Sequence, residues 1–246
     1  MKPTLYSYWR SSCSWRVRIA LELKGLDYEY AGVNLVKGDQ TSEAFLKQNP
    51  QGLVPAFVIG ETTLTESMAI LEYLEEKFPD TMKLLPEKAE DKAKVRALCY
   101  LIASNTQPIQ NLRVLKYYGK GDTSKYAEWA SHWISLGFDA LEQELQKYSG
   151  KYAFGDELTL LDVVIPPQVY NANRFNYSGK YAFGDELTLL DVVIPPQVYN
   201  ANRFNVDMDK YPTIKAIDER LAELVPFKKA HPSRQPDTPE TERASI

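Results

Sequence analysis

The chain has 246 residues, 44% hydrophobic and 12% aromatic, enough to bury one or two cores and too apolar for a disordered or fibrous protein. Its 29 basic and 33 acidic residues leave a net charge of −4 with no block of one sign, which argues against nucleic acid or an anionic membrane surface as a partner. Cys13 and Cys99 are too few for a disulfide framework, no apolar run reaches about 18 residues, and the start lacks a signal peptide's apolar core, so a soluble, unprocessed, cytoplasmic protein is expected.

Thr4–Tyr8 reads as a short aromatic strand. Beyond Ser11-Ser12, Trp15, Ile19 and Leu23 recur at helical spacing with Val17, Ala20 and Leu21 beside them, and Gly25 suits the position just past the helix end; a helix over Ser12–Lys24 follows. Tyr28–Leu35 reads as a second strand, Ser42–Lys47 as a short helix, and Ala56–Ile59 with Thr62–Leu64 as a hairpin about Gly60-Glu61. Ile70, Leu71, Leu74 and Phe78 mark a helix that Pro79 ends. That order predicts a small α/β domain with a mixed sheet over residues 1–82, and Thr81–Glu87, with Pro86, as a linker.

Strand signals then nearly vanish. Glu87–Tyr118 and Thr123–Tyr148 read as long amphipathic helices, and Thr213–Leu224 as a later one behind Pro212. Residues 148–176 recur without a single difference at 177–205. Two identical copies are a tandem duplication, not a solenoid. Each carries Thr-Leu-Leu-Asp (Thr159–Asp162 and Thr188–Asp191), a capping-box-like helix start. An all-α domain is therefore expected over 88–232, and a poorly ordered tail over 233–246.

The segment Ser11-Ser12-Cys13-Ser14-Trp15-Arg16 carries the most chemistry, because it lies between a strand and a helix. Free backbone N–H groups and the dipole of a helix N-terminus favour an anion by about 0.3–2 kcal/mol, and hydroxyls at the same place add donors. A thiolate held there is favoured over its thiol. Ser11 or Ser12 as a bare N-cap beside a small buried Cys13 fits the local sequence equally well. Pro55, entering a strand after Val54, suggests an edge, a bulge or a cis bond whose neighbouring backbone is left to pair with a peptide-like ligand; an ordinary loop proline is the alternative. Glu66-Ser67 opens the third helix, where free N–H groups suit a carboxylate and Glu66 an ammonium group, or where the pair is simply an acidic helix cap. His132 and His231 are far apart in sequence and are expected to be ordinary solvated residues, and no metal site is expected.

SSCSWRVRIAL, NPQGLVPAF, TESMAILEYLEEKFP, IQNLRVLK and NRFNVDMDKYPTI together resemble the zeta class of glutathione transferases, whose members include maleylacetoacetate isomerase. The likeness runs to Asp237, one extra copy of the repeat aside. It implies a thioredoxin-like N-terminal domain that binds glutathione as cofactor, and an α-helical C-terminal domain that completes a pocket for a small dicarboxylate. On that resemblance Ser11 and Ser12 would activate the thiolate of glutathione with Cys13 against it, and Ser14, Trp15 and Arg16 would complete the motif. Val54, before a cis Pro55, would pair with the cysteinyl backbone of glutathione, and Gln40, Glu66 and Ser67 would hold its charged ends. Gln107 and Asn111, four apart and so on one helical face, would reach in from the second domain, and Arg174 or its duplicate Arg203 would hold a substrate carboxylate. The implied reaction, in tyrosine and phenylalanine catabolism, is isomerisation of maleylacetoacetate to fumarylacetoacetate by reversible thiolate addition. A homodimer is implied too. A transferase for small α-halo acids and a non-catalytic interaction module of the same fold are the competing readings.

Overall fold

The computed structural model describes residues 2–122, 124–174 and 224–243. It divides into two compact units, one formed by 1–83 together with 224–246, the other by 84–223.

In the first unit β1 (Thr4–Ser7), α1 (Ser12–Leu23), β2 (Glu29–Gly32), α2 (Glu43–Leu46), β3 (Ala56–Ile59), β4 (Thr62–Thr65) and α3 (Ser67–Lys77) follow in the expected order. The sheet runs β2-β1-β3-β4, with β2 parallel to β1 and both other pairings antiparallel. It is the mixed α/β sheet that the sequence predicts. The parallel pair requires a crossover, which α1 supplies. Leu5 and Phe57, opposite each other on β1 and β3, are fully buried with Val17, Ile19, Ala20 and Leu21 of α1 and Ile70, Leu71 and Leu74 of α3. A smaller apolar cluster of Tyr8, Trp9, Val33, Phe45, Val54 and Ala56 lies under the loops at one end of the sheet.

The end of α1 shows how sequence fixes a boundary. Gly25 takes φ +65°, its N–H donates to the Glu22 carbonyl, and the N–H of Leu26 donates to that of Leu21. This paired closure of the last carbonyls needs a left-handed residue, which glycine adopts without strain. Lys24 beside it is buried and ion-paired to Glu75 of α3 at 2.6 Å, and it donates to the Met82 carbonyl at 2.8 Å.

The expected tail over 233–246 and the assignment of residues up to 232 to the helical domain both differ from the structure. Residues from Leu224 onward group with the first unit. α8 (Val225–Ala230) packs against α1 with Phe227 and Ala230 buried, and two 3₁₀ turns, Pro232–Arg234 and Glu240–Glu242, follow. The proline and charge that suggest disorder are offset by specific bonds: the N–H of Trp9 and the hydroxyl of Tyr30 both donate to the Asp237 carboxylate, at 3.0 and 2.6 Å.

In the second unit the long helix expected over Glu87–Tyr118 is broken. α4 (Ala89–Tyr100) passes through a π turn, Leu101–Thr106, and a 3₁₀ turn, Pro108–Gln110, before α5 (Leu112–Gly119). Pro108 lacks the N–H that would continue the ladder. The Asn111 side chain then accepts from the N–H of Arg113 and caps α5. α6 (Ser124–Tyr148) packs so closely on the π turn that a Cβ at Gly137 would strike Thr106. α7 (Leu160–Arg174) is built from the first copy of the repeat, and Leu160, Leu161, Val163, Val164 and Ile165 are fully buried. Its start is the predicted capping box, with the N–H and hydroxyl of Thr159 donating to Asp162. Among the described residues no helix is long and apolar enough to cross a membrane.

Candidate functional site at the N-termini of α1 and α3

The loop from β1 to α1 is held by its own hydrogen bonds. The N–H of Ser11 donates to the Tyr8 carbonyl at 2.9 Å, and the Ser11 side chain accepts from the N–H of Ser14 at 3.2 Å, which makes Ser11 the N-cap of α1. Ser12 is the first helical residue and is buried, Cys13 is half-buried, and Ser14 and Trp15 point into the core. Arg16 is buried as well. Its Nη1 lies 4.0 Å from Cys13 Sγ and donates to Ser67 Oγ at 3.2 Å, so one guanidinium spans the first turns of α1 and α3.

At α3, Glu66 occupies the cap position with φ +66°, a left-handed conformation that costs a non-glycine residue of order 1–3 kcal/mol. Its side chain does not cap the helix, so the first N–H groups of α3 remain available, and its carboxylate instead accepts from Gln51 Nε2 at 3.4 Å. The Val54–Pro55 bond is cis. Val54 stands ahead of β3, and neither its N–H nor its carbonyl is hydrogen-bonded among the described residues. Gln40 sits in a 3₁₀ turn with its buried Oε1 unpartnered, and its carbonyl is close enough to Gly52 that a side chain there would crowd it. The Arg16 guanidinium and the open helix ends supply donors for the anionic groups of a peptide, while the unbonded Val54 backbone and the unpartnered Gln40 Oε1 suit its amide and ammonium groups.

In the second unit, Gln107 is buried just before the 3₁₀ turn and Asn111 lies just after it, in extended conformation. The two therefore do not share one helical face as their spacing suggests, because Pro108 ends the α-helical ladder between them. Arg174 is the last residue of α7, and Arg203 lies outside the described residues.

His231 is not an ordinary solvated residue: its ring meets Trp15 edge-on at 6.1 Å, and burial, with the charges of Arg18 and Arg234, lowers its pKa from 6.5 to about 4. Sequence reasoning also missed Arg18. Fully buried, it donates to Ser7 Oγ and to the carbonyls of Tyr8, Trp9 and Ala230, fixing the loop that carries Ser11. An arginine inside an otherwise apolar helix face was the signal available. No cluster of metal-ligating side chains occurs among the described residues.

Residues 1–76 match the family model described as glutathione S-transferase, N-terminal domain. The chain is 46% identical to maleylacetoacetate isomerase of Rattus norvegicus over 240 residues, covering 97% of this chain and 96% of that protein. Among solved structures it is similar to the holo form of a maleyl pyruvate isomerase, a bacterial glutathione S-transferase in the zeta class, with TM-score 0.76, 39% identity, and coverage of 96% and 100%. A maleylacetoacetate isomerase from Anaeromyxobacter dehalogenans with bound glutathione gives TM-score 0.73, 39% identity, and coverage of 97% and 98%. The same enzyme was also solved with dicarboxyethyl glutathione and citrate in its active site, at TM-score 0.72, 38% identity and the same coverage.

Proposed function

The chain belongs to the zeta class of glutathione transferases, the family of the maleylacetoacetate isomerases, and on that premise we propose that it converts maleylacetoacetate to fumarylacetoacetate with glutathione as cofactor. The observation that carries the reading is the joining of the α1 and α3 first turns through Arg16, with Cys13 and Ser67 at its two contacts and unbonded donors left over. When bound, glutathione supplies a thiolate that adds reversibly to the cis double bond, so that rotation about the resulting single bond can precede elimination.

The chain's own residues prepare that step. Ser11 and Ser12 place hydroxyls at the N-terminus of α1, whose dipole favours negative charge. Val54 offers its unbonded backbone to the cysteinyl part of the tripeptide, and Gln40, Glu66 and Ser67 hold its charged ends. Ser14 and Trp15 act through packing. By the family resemblance, Gln107 and Asn111 are assigned to glutathione and Arg174 or Arg203 to a substrate carboxylate, since the developing enolate and the acid groups need cations. Cys13 and Cys99 are thiols and not a disulfide, which fits a reducing compartment such as the cytoplasm.

Turnover of maleylacetoacetate, followed by chromatography of the trans product with and without glutathione, tests the proposal. Product formation that requires glutathione and returns it unconsumed is the expected result; consumption of one glutathione per product, or turnover without it, overturns the assignment. Arg174→Ala or Arg203→Ala should raise KM for the dicarboxylate. A homodimer is part of the proposal, and light scattering should give about twice the 28.1 kDa chain mass.

A further inference from the structure

We propose that Arg16 is the resident counter-charge of the glutathione site, so that a buried guanidinium, and not the serine hydroxyls alone, stabilises the ionised thiol. The inference rests on the glutathione-binding reading above. Arg16 is 1% exposed. Nη1 contacts Cys13 Sγ and Ser67 Oγ, while Nε and Nη2 are buried with no hydrogen-bond acceptor. No carboxylate lies within ion-pair distance of it among the described residues.

A buried cation without a partner is unfavourable, and an arginine cannot relieve the cost by losing its proton. Arg18, two residues on and equally buried, shows the ordinary solution: its nitrogens donate to three carbonyls and a hydroxyl, and it is a structural cation. Arg16 has no such set. Its two contacts lie at the first turns of α1 and α3, where the positive ends of both helix dipoles add to its own charge. An anion entering there gains from all three and removes the cost of the unpaired cation. Arg16 acts through Cys13, Ser67 and its field, so it is a positioning residue.

The test uses Arg16→Met and Arg16→Gln, which remove the charge, and Arg16→Lys, which keeps it. Thiolate absorbance of bound glutathione is titrated against pH, and melting temperatures are measured without and with saturating glutathione. In the neutral variants the bound thiol should titrate about 1–3 pH units higher. The free protein should melt no lower than the unsubstituted chain, and the gain on adding glutathione should shrink. Arg16→Lys should restore most of the low titration. A thiol that titrates unchanged in the neutral variants overturns the proposal, as does a free protein that melts lower or fails to fold while the charge is absent, since Arg16 would then be structural. An unsubstituted protein with no thiolate signal sinks the glutathione reading itself.

Discussion

Ser11 and Ser12 are adjacent hydroxyls with separable duties. Ser11 accepts from the N–H of Ser14, so its hydroxyl oxygen is already engaged in holding the helix, whereas Ser12 lies inside the first turn. Loss of an N-cap costs about 0.5–2 kcal/mol. Ser11→Ala should therefore lower the stability of the free protein by about that amount in thermal unfolding, and Ser12→Ala should act chiefly by raising the titration of bound glutathione. Equal melting of Ser11→Ala and the unsubstituted chain would show that the cap contributes nothing. The short polar and punctuating residues of the site were legible in the sequence because their chemistry is local: a cysteine between serines at a helix start, a proline entering a strand, a glutamate and serine opening a helix. Arg18, Tyr30 and Asp237 were not, since each acts through partners remote in sequence, up to 228 positions away for Trp9 and Asp237.

At the scale of elements, the first unit was readable because each boundary carries its own signal. Gly25 closes α1, Gly60 opens the two-residue hairpin turn with φ +60°, and Ser42 caps α2 by accepting from the N–H of Phe45. Where periodicity alone was the guide, a single helix was expected over Glu87–Tyr118, and Pro108 with the cap at Asn111 divides it. The apolar spacing continues through the break because α4, the π turn and α5 each keep apolar residues inward, with Val95, Leu98, Ile102 and Leu115 buried in turn. Burial pattern therefore tracks the face and not the continuity of the ladder. The C-terminal segment was misread for the opposite reason. Its composition resembles a tail, yet a few directional bonds hold it: Arg18 to the Ala230 carbonyl, Asp237 to Trp9 and Tyr30, and Gln235 Nε2 to the carbonyls of Lys229 and His231. Two of these anchors, at Trp9 and Arg18, bear on the loop that ends at Ser11, so the C-terminal segment helps to hold that loop.

At the scale of the whole molecule, two titratable groups, the buried Asp162 and the half-buried His231, one in each unit, oppose each other in acid. Asp162 of the capping box is fully buried, and burial raises its pKa from 3.8 to about 6 despite hydrogen bonds from Ala153 and Thr159. Between those values the folded chain binds a proton that the unfolded chain has released, so this group's contribution to stability falls as pH rises from about 4 to about 6. His231 runs the other way. Its folded pKa of about 4 lies below the ordinary 6.5, so the unfolded chain takes up a proton that the folded chain refuses, and stability falls as pH drops from 6.5 towards 4. At about 1.4 kcal/mol per pH unit of separation, each contribution amounts to no more than about 3 kcal/mol, and the two nearly cancel across the window. Removing one should uncover the other. Denaturant unfolding at several values from pH 4 to 7 should show His231→Gln gaining stability relative to the unsubstituted chain as pH falls, by up to about 3 kcal/mol, and Asp162→Asn losing it over the same range. Because the residues belong to different units, a chain whose units unfold separately should show each slope in its own transition. Curves for both variants that run parallel to that of the unsubstituted chain would mean that neither group changes its proton affinity on folding.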